Sequence, residues 1–215
     1  MPLVVEQLPL GQIGTNCYLV RADRSSPEAV VVDPGADATT IRLTLARSGA
    51  RCAGILLTHC HYDHFGALAD LAEGTGAPVW LPEGDEPVFR DPDTYFGGYG
   101  IRVPPYTGEA TLVGDGDTLD AGGISFAVTA VPGHSPGHVA YYADGCLFSG
   151  DVLFAGAVGR VDLPGGDWDT LLDSIRRLGD AYPPETRVLS GHGPETTLGA
   201  ELARNPFLAE LRAER

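Results

Sequence analysis

The sequence predicts an α/β fold in which two β-sheets lie between two layers of helices, a four-layer αββα arrangement. Short apolar segments rich in β-branched residues alternate with segments whose apolar residues recur at helical spacing. This alternation occurs in two similar halves, which is why we expect two sheets. The chain has 215 residues, the length of one medium domain, so we expect residues 1–215 to form a single domain.

The first half is predicted to begin with two strands and a helix. The segments NCYLVRA and EAVVVDPG are rich in β-branched and aromatic residues, and the second ends in a Pro-Gly turn. A helix follows over residues 36–49, where Ile41 and Leu45 fall on one face. Asp37 or Thr39 can cap the start of this helix, and a glycine ends it.

A buried strand and a second helix complete the regular part of this half. The run AGILLT is almost continuously apolar, as expected of a strand with both faces covered. Residues 64–76 then show helical spacing and end in glycine. Residues 82–108 interrupt the alternation with glycines, prolines and aromatic residues, so we expect a long connecting loop there.

The second half is predicted to contain several strands and one long helix. The strands are ISFAVTAVPG, HVAYYA, CLFSGD and TRVLSGHG. The helix, DWDTLLDSIRRLG, places its leucines and its isoleucine on one face, with Asp167 as N-cap and Gly179 just past its end. A short helical segment closes the chain.

The composition argues against several classes of function. The formal net charge of −15 opposes association with nucleic acid or with anionic membrane surfaces. The N-terminal segment lacks a basic stretch, and no apolar run has the length of a membrane-spanning helix. The four cysteines form no CxxC pair, so we expect reduced thiols and a cytoplasmic protein. Nothing in the sequence indicates an oligomeric state.

The segment THCHYDHFG is the strongest functional signal in the sequence. It contains half of the six histidines of the chain, together with an aspartate, at His59, His61, Asp63 and His64. His59 and His61 share a face if the strand conformation continues past Thr58. A cluster of imidazoles beside a carboxylate needs a cation to be stable when it is buried.

Further donors follow three later apolar strands, at His134, Asp151 and His192. If all these strand ends meet at one edge of the sheets, five histidines and two aspartates come together, enough for two divalent metal ions. Such donors suit zinc, iron and manganese, of which we expect zinc. The remaining histidine, His138, is interpreted as a supporting residue, because the other donors already fill both sites.

These motifs resemble those of the metallo-β-lactamase superfamily. The resemblance rests on THCHYDH, on GH at 133–134, on SGD at 149–151 and on SGHG at 190–193. Within that superfamily, GRVDLPGGD and the C-terminal GPETTLG and NPFL are similar to the short glyoxalase II-like hydrolases. The resemblance spans nearly the whole chain and implies the metallo-β-lactamase fold.

The resemblance also implies a role for each donor. The first metal takes His59, His61 and His134, the second takes Asp63, His64 and His192, and Asp151 bridges the two. Asp33, in VVDPG, matches an aspartate that supports the ligands without binding metal. The alternative for this residue is a turn aspartate before Pro-Gly.

Thioester hydrolysis is the reaction that the resemblance implies, with a hydroxide held between two metals and oriented by Asp63. Glyoxalase II-like enzymes cleave S-(2-hydroxyacyl)glutathione, so we expect a small-molecule thioester as substrate. Arg160 falls where longer members have a basic residue that contacts the thiol cofactor, although a surface or ion-pairing arginine is the alternative. Asp162 replaces a tyrosine of those enzymes and would repel an anionic carrier.

Other functions remain open. A mononuclear iron persulfide dioxygenase keeps the same histidine motif, and a metal-binding protein without activity is a further alternative. A β-lactamase is disfavoured because those enzymes are exported and lack a carboxylate at the position of Asp151. In the 82–108 segment, Tyr95 and Tyr99 either form a flexible wall over the site or pack within their own loop.

Overall fold

Within residues 2–213, which the computed structural model describes, the first half of the chain forms a mixed sheet of six strands. They are β1 (Val4–Leu10), β2 (Thr15–Arg21), β3 (Glu28–Val32), β4 (Arg51–Leu56), β5 (Val79–Pro82) and β6 (Thr111–Val113). The strands lie in the sheet in chain order. The pairs from β1 to β3 are antiparallel, whereas the pairs from β3 to β6 are parallel.

The second half forms another mixed sheet. Its strands are β7 (Thr118–Ala121), β8 (Ile124–Ala130), β9 (Val139–Ala143), β10 (Cys146–Gly150), β13 (Arg187–Ser190) and β14 (Thr196–Thr197). Their order in the sheet is β14-β13-β10-β9-β8-β7, and only the β10–β13 pair is parallel among these described strands. A small hairpin, β11 (Leu153–Phe154) and β12 (Ala157–Val158), follows β10.

Helices lie between the strands in both halves and follow the last strand. They are α1 (Ala38–Ser48), α2 (Tyr62–Phe65), α3 (Leu68–Thr75), α4 (Glu86–Arg90), α5 (Pro92–Phe96), α6 (Trp168–Ala181), α7 (Leu198–Arg204) and α8 (Ala209–Ala213). Short 3₁₀ turns occur at Glu83–Asp85, Gly97–Tyr99 and Pro206–Leu208. None of the helices between residues 2 and 213 combines the length and the apolar character needed to cross a membrane.

The apolar core shows that the two sheets pack face to face. Val20 and Val30 of the first sheet share one buried cluster with Phe126 and Phe148 of the second. Burial of a side chain of this size contributes about 1.5–3 kcal/mol, so this interface is a major source of stability. It joins the two halves of the chain into one folded body.

Helices cover the outer face of each sheet. Ile41 of α1 and Leu68 of α3 are buried in a cluster with Ile55 of β4. On the other side, Ile175 of α6 is buried in a cluster with Leu147 of β10. The layers are therefore helix, sheet, sheet and helix, which confirms the predicted αββα fold.

The predicted ends of α1 are confirmed, but the long helix of the second half was assigned the wrong end. The side chain of Asp37 accepts a hydrogen bond from the N–H of Thr40 and caps α1. Helix α6 continues past Gly179 to Ala181. Tyr182 fixes this end, because its ring stacks on Tyr142 and its hydroxyl lies 2.7 Å from Oγ1 of Thr129.

The helix predicted over 64–76 is two helices. The chain breaks between α2 and α3 because it passes close to the loop after β3: a Cβ at Gly66 would lie 2.5 Å from the carbonyl oxygen of Gly35. The N–H of Ala67 donates instead to the carbonyl of Pro34. The 82–108 segment also differs from the prediction, since it contains α4, α5 and short 3₁₀ turns in its first part.

Candidate metal centre

The predicted metal-binding residues lie just beyond the ends of strands, and the structure brings them together. His59 and His61 follow β4, and Asp63 and His64 lie in the short helix α2. The later donors are His134 after β8, Asp151 directly after β10 and His192 after β13.

The first group of donors contains His59, His61 and His134, whose ring nitrogens lie within 4.8 Å of one another. Nδ1 of His61 is 3.2 Å from Nε2 of His59 and 2.8 Å from Nε2 of His134. Nδ1 of His59 contacts Oγ1 of Thr58 at 3.1 Å, and Nδ1 of His134 donates to the carbonyl of Arg160 at 2.7 Å. The remaining Nε2 atoms are thus directed at His61.

The second group contains Asp63, His64 and His192. Oδ2 of Asp63 lies 3.4 Å from Nε2 of His64 and 3.4 Å from Nε2 of His192. Asp63 is fixed from outside the group by Thr15, whose hydroxyl donates to Oδ2 at 2.7 Å. The three side chains therefore converge on one point.

Asp151 lies between the two groups. Its Oδ1 is 3.3 Å from Nε2 of His64, and its Oδ2 is 3.6 Å from Nε2 of His134 and 3.4 Å from Nε2 of His192. Asp151 also forms a donor set with His59 and His64. One carboxylate thus faces histidines of both groups.

The first group fits a metal ion because one nitrogen from each of its three rings faces the others. Burial lowers the pKa of His61 to about 3 and lowers that of His59 well below its ordinary value. Both rings are therefore neutral near pH 7, the form in which an imidazole nitrogen binds a metal ion. Nε2 of His64 and Oδ1 of Asp151 are buried without a hydrogen-bond partner, a costly state that a metal ion relieves.

Three carboxylates, Asp33, Asp63 and Asp151, act on the histidines of the second group. Burial opposes the charged form of His64, but Asp151, Asp63 and Asp33 outweigh it and raise its pKa well above the ordinary value. Hydrogen bonds to Asp151 and Asp63 raise the pKa of His192 to about 9. Burial disfavours ionised Asp63, yet His64 and His192 lower its pKa to about 2. The carboxylates thus hold protons on these two histidines, and a divalent cation can take the place of those protons.

Two further predicted residues support the donors. Asp33 contacts Nδ1 of His64, which agrees with the supporting role and not with an isolated turn aspartate. His138 stacks on His59, with ring centroids 4.5 Å apart. Nε2 of His138 also accepts the N–H of Asp151 at 3.0 Å, so it belongs to neither donor group.

The loop that carries His192 is held by the opposite sheet. The side-chain amide of Asn16 in β2 donates to the carbonyl of Ser190 at 2.9 Å, and the hydroxyl of Tyr18 donates to the same carbonyl at 2.7 Å. Space is also tight here, because a Cβ at Gly191 would lie 2.1 Å from Oδ1 of Asp151. Gly191, the first glycine of the SGHG motif, is therefore required, because a larger residue would collide with the carboxylate of Asp151.

A cavity of about 550 Å³ opens over the donors. Its walls are largely apolar and include Ile13, Val88, Tyr95, Phe96, Phe154 and Leu163. Among the described residues that line it, Arg160 is the one arginine or lysine. The Arg160 guanidinium is held by Asp162, with Nε–Oδ1 at 2.6 Å and Nη2–Oδ2 at 2.8 Å.

The 82–108 segment contributes aromatic side chains to this cavity. Tyr95 and Phe96 of α5 line it, and Phe96 is also buried against the ring of Tyr62. The side chain of Tyr99 lies outside what the structure describes. Of the two alternatives for Tyr95, its place in the cavity lining agrees with a wall over the site, whereas Phe96 packs in the core.

Sequence reasoning missed two residues that hold the donors, Thr15 and Thr58. Thr15 lies in β2, far along the chain from Asp63, and no local pattern marks it. Thr58 precedes His59 directly, and its hydroxyl joins Asp33 to that histidine. Its place as the first residue of the THCHYDHFG segment was a signal that could have been used.

Comparison with known proteins agrees with this geometry. A model of the metallo-beta-lactamase superfamily matches residues 10–192, a span that contains every predicted donor. Probable metallo-hydrolase YqgX of Bacillus subtilis (strain 168) is 38% identical over 206 residues, 94% of this chain and 96% of its own. Hydroxyacylglutathione hydrolase GloC of Haemophilus influenzae is 32% identical over 208 residues, covering 95% of this chain and 97% of its own.

Solved structures show the same fold. The B3 metallo-beta-lactamase BLEG-1 has a TM-score of 0.87 and 40% identity, covering 96% of this chain and 100% of its own. TTHA1623, solved in a di-iron-bound form, has a TM-score of 0.84 and 41% identity, covering 95% and 100%. The chain belongs to the metallo-beta-lactamase superfamily.

Proposed function

We propose that the protein is a metal-dependent hydrolase that cleaves a thioester of the S-(2-hydroxyacyl)glutathione type. The observation that carries the proposal is the pair of donor groups, with Asp151 between them, beneath a largely apolar cavity. The likeness to YqgX supports metal-dependent hydrolysis, and the likeness to GloC, by name a hydroxyacylglutathione hydrolase, supports this class of substrate.

The donors would hold two divalent cations, the first through His59, His61 and His134, the second through Asp63, His64 and His192, and both through Asp151. When bound, such a pair makes water a nucleophile near neutral pH and stabilises charge that develops on a substrate carbonyl. Histidine and carboxylate donors suit zinc, iron and manganese. We propose zinc, with iron as the alternative that the di-iron form of TTHA1623 supports.

Asp63 is the proposed catalytic residue. It lines the cavity, and its carboxylate is fixed by the hydroxyl of Thr15 and by His192. A carboxylate held in this way can accept a hydrogen bond from the attacking water and orient it toward the substrate.

The cavity accounts for the proposed partner, a small-molecule thioester. Apolar walls favour the acyl group and the sulfur, neither of which carries charge. Arg160 is placed to contact the thiol carrier, but Asp162 already neutralises its guanidinium. A weakly charged carrier therefore fits better than a strongly anionic one.

Hydrolysis of S-lactoylglutathione by the metal-loaded protein tests the proposal. We expect turnover by the wild type, and a kcat lower by about 100-fold or more for Asp63→Asn at equal metal content. Asp120→Asn is the control, because Asp120 is an exposed residue of β7 outside the cavity. Protein that carries two metal equivalents yet hydrolyses no small acyl thioester would contradict the proposal.

β-Lactam hydrolysis is a second candidate, which the likeness to BLEG-1 favours. A panel of β-lactams assayed on the same protein separates the two functions. Asp63→Asn should lower the activity that belongs to this site.

The dioxygenase alternative has its own signature. One equivalent of iron per chain, with oxygen uptake in the presence of glutathione persulfide, would indicate it.

A further inference from the structure

Asp85 is a buried carboxylate beside the metal centre that takes no part in either donor group. It ends the 3₁₀ turn Glu83–Asp85 after β5, and it is 1% exposed. Oδ2 accepts hydrogen bonds from the N–H of Cys60 and from the hydroxyl of Ser135, both at 2.9 Å. Oδ1 accepts the N–H of Gly137 at 2.7 Å.

The three donors to Asp85 come from the two loops that carry the first group. Cys60 lies between His59 and His61 in the chain, and Ser135 directly follows His134. One carboxylate therefore joins a loop of the first sheet to a loop of the second. Burying a carboxylate is costly unless its hydrogen bonds are satisfied, and among residues 2–213 these two loops supply the hydrogen bonds of Asp85.

Backbone packing shows that this junction is tight. A Cβ at Gly137 would lie 2.2 Å from the backbone nitrogen of Asp85. A Cβ at Gly84 would lie 2.7 Å from the Cα of Gly137. The turn after β5 is thus in direct backbone contact with the loop after His134.

We propose that Asp85 is a positioning residue for the metal centre, which holds the His59–His61 loop and the His134 loop at a fixed separation. The proposal rests on the metal site of the proposed function. Nδ1 of His61 and Nε2 of His134 face each other at 2.8 Å across these two loops. By fixing that approach, Asp85 preorganises the first donor group and leaves the second group unaffected.

Asp85→Asn tests the proposal, because an amide keeps the shape but turns its NH₂ toward one of the N–H donors. Zinc affinity is measured on the full chain by competition with a chromophoric chelator, together with the Tm of the metal-free protein. We expect one of the two binding steps to weaken about 10- to 100-fold and the other to remain unchanged. Equal affinities for both steps in Asp85→Asn and the wild type would overturn the proposal.

Glu201→Gln is the matched control. Glu201 is also a buried carboxylate with three hydrogen bonds, from Gly156, Thr196 and Asn205, none of which adjoins a predicted donor. The Glu201→Gln variant should have a lower Tm than the wild type, but the same zinc affinity at both binding steps. If Glu201→Gln weakens zinc binding as much as Asp85→Asn does, the effect is general destabilisation and the proposal fails.

A milder variant covers the case in which Asp85→Asn does not fold. Ser135→Ala removes one donor to Oδ2 and leaves the carboxylate in place, so we expect a smaller loss at the same binding step. No change at that step would overturn the proposal. Wild-type protein that binds no zinc, iron or manganese would instead refute the proposed function itself.

Discussion

Oδ2 of Asp33 lies 2.9 Å from Nδ1 of His64, and both side chains are buried. The same carboxylate accepts the N–H of Thr58 at 2.8 Å and its hydroxyl at 2.7 Å. Asp33 therefore fixes which ring nitrogen of His64 carries a proton, and it leaves Nε2 for the metal centre. A residue that binds no metal thus sets the orientation of one that does.

Asp33→Asn should weaken metal binding about 10- to 100-fold, because the amide must place its NH₂ against the N–H of Thr58 or of His64. The measurement is zinc affinity by chelator competition. Asp37→Asn is the control, since Asp37 is exposed and has the same left-handed backbone conformation. Asparagine is also an equally good N-cap there, so this variant should bind zinc as the wild type does. Equal affinities in both variants would contradict the supporting role of Asp33.

Removal of metal should lower the stability of the protein. A ligand present at about 1,000 times its Kd contributes about 4 kcal/mol, which corresponds to a Tm change of about 8–16 °C for a domain of this size. Thermal unfolding before and after dialysis against a chelator provides the measurement. Reloading with zinc should restore the original Tm, and a Tm that does not respond to metal would show that the donors bind none.

Asp162→Asn should improve the use of an anionic thiol carrier. In the wild type, the hydrogen bond that Arg160 donates lowers the pKa of Asp162 to about 2. Asp162 is therefore ionised near neutral pH and neutralises the arginine. Because the pair is exposed, we expect a modest effect, a KM for S-lactoylglutathione that is about twofold to fivefold lower.

Two comparisons give this prediction its specificity. The KM for an uncharged lactoyl thioester should not change in Asp162→Asn. Asp120→Asn removes the same charge from a residue outside the cavity. It should change neither the KM for S-lactoylglutathione nor the KM for the uncharged thioester. Parallel changes in the two KM values would point to a general charge effect.

Tyr95→Ala should raise KM and leave Tm nearly unchanged. Tyr95 lines the cavity and is 39% exposed, so its removal takes away contact with substrate but little core packing. Phe207→Ala is the matched control, because that ring is 50% exposed and lies outside the cavity lining. A drop in Tm without a change in KM would assign Tyr95 to packing within its own segment.

The cysteines should not react in the folded protein. All four are buried and free of disulfides. Burial raises the pKa of Cys52 to about 11 and raises that of Cys17 and Cys60 well above the ordinary value. The reactive thiolate is therefore scarce at pH 8, and a thiol reagent should label the chain only after denaturation. Rapid labelling of the native protein would show that the interior opens.

The fold class and the convergence of the donors could be predicted from the sequence, because both follow from local patterns. Apolar strands were visible in the sequence, and the donors follow four of them, with Asp63 and His64 in the short helix beyond β4. Strands β1, β5, β6 and β7 and the two-residue strands β11, β12 and β14 were missed. β1 is mostly exposed or half-buried, so its apolar pattern is weak. β7 is short, and β5 and β6 are short and pair with strands distant in the chain. Asp85 was missed for the same reason: its hydrogen bonds reach Cys60 and Ser135, and the sequence around it resembles an ordinary turn.

The hydrogen bonds from Asn16 and Tyr18 to Ser190 have a consequence for biosynthesis. They join strands separated by more than 170 positions, so these bonds to the loop of His192 form only after the chain has been synthesised past Ser190. The THCHYDH segment emerges more than a hundred residues earlier, when the first sheet can already form. Throughout that interval the nascent chain carries an incomplete cluster of histidines. Completion of the centre is therefore a late event, which coincides with docking of the two halves.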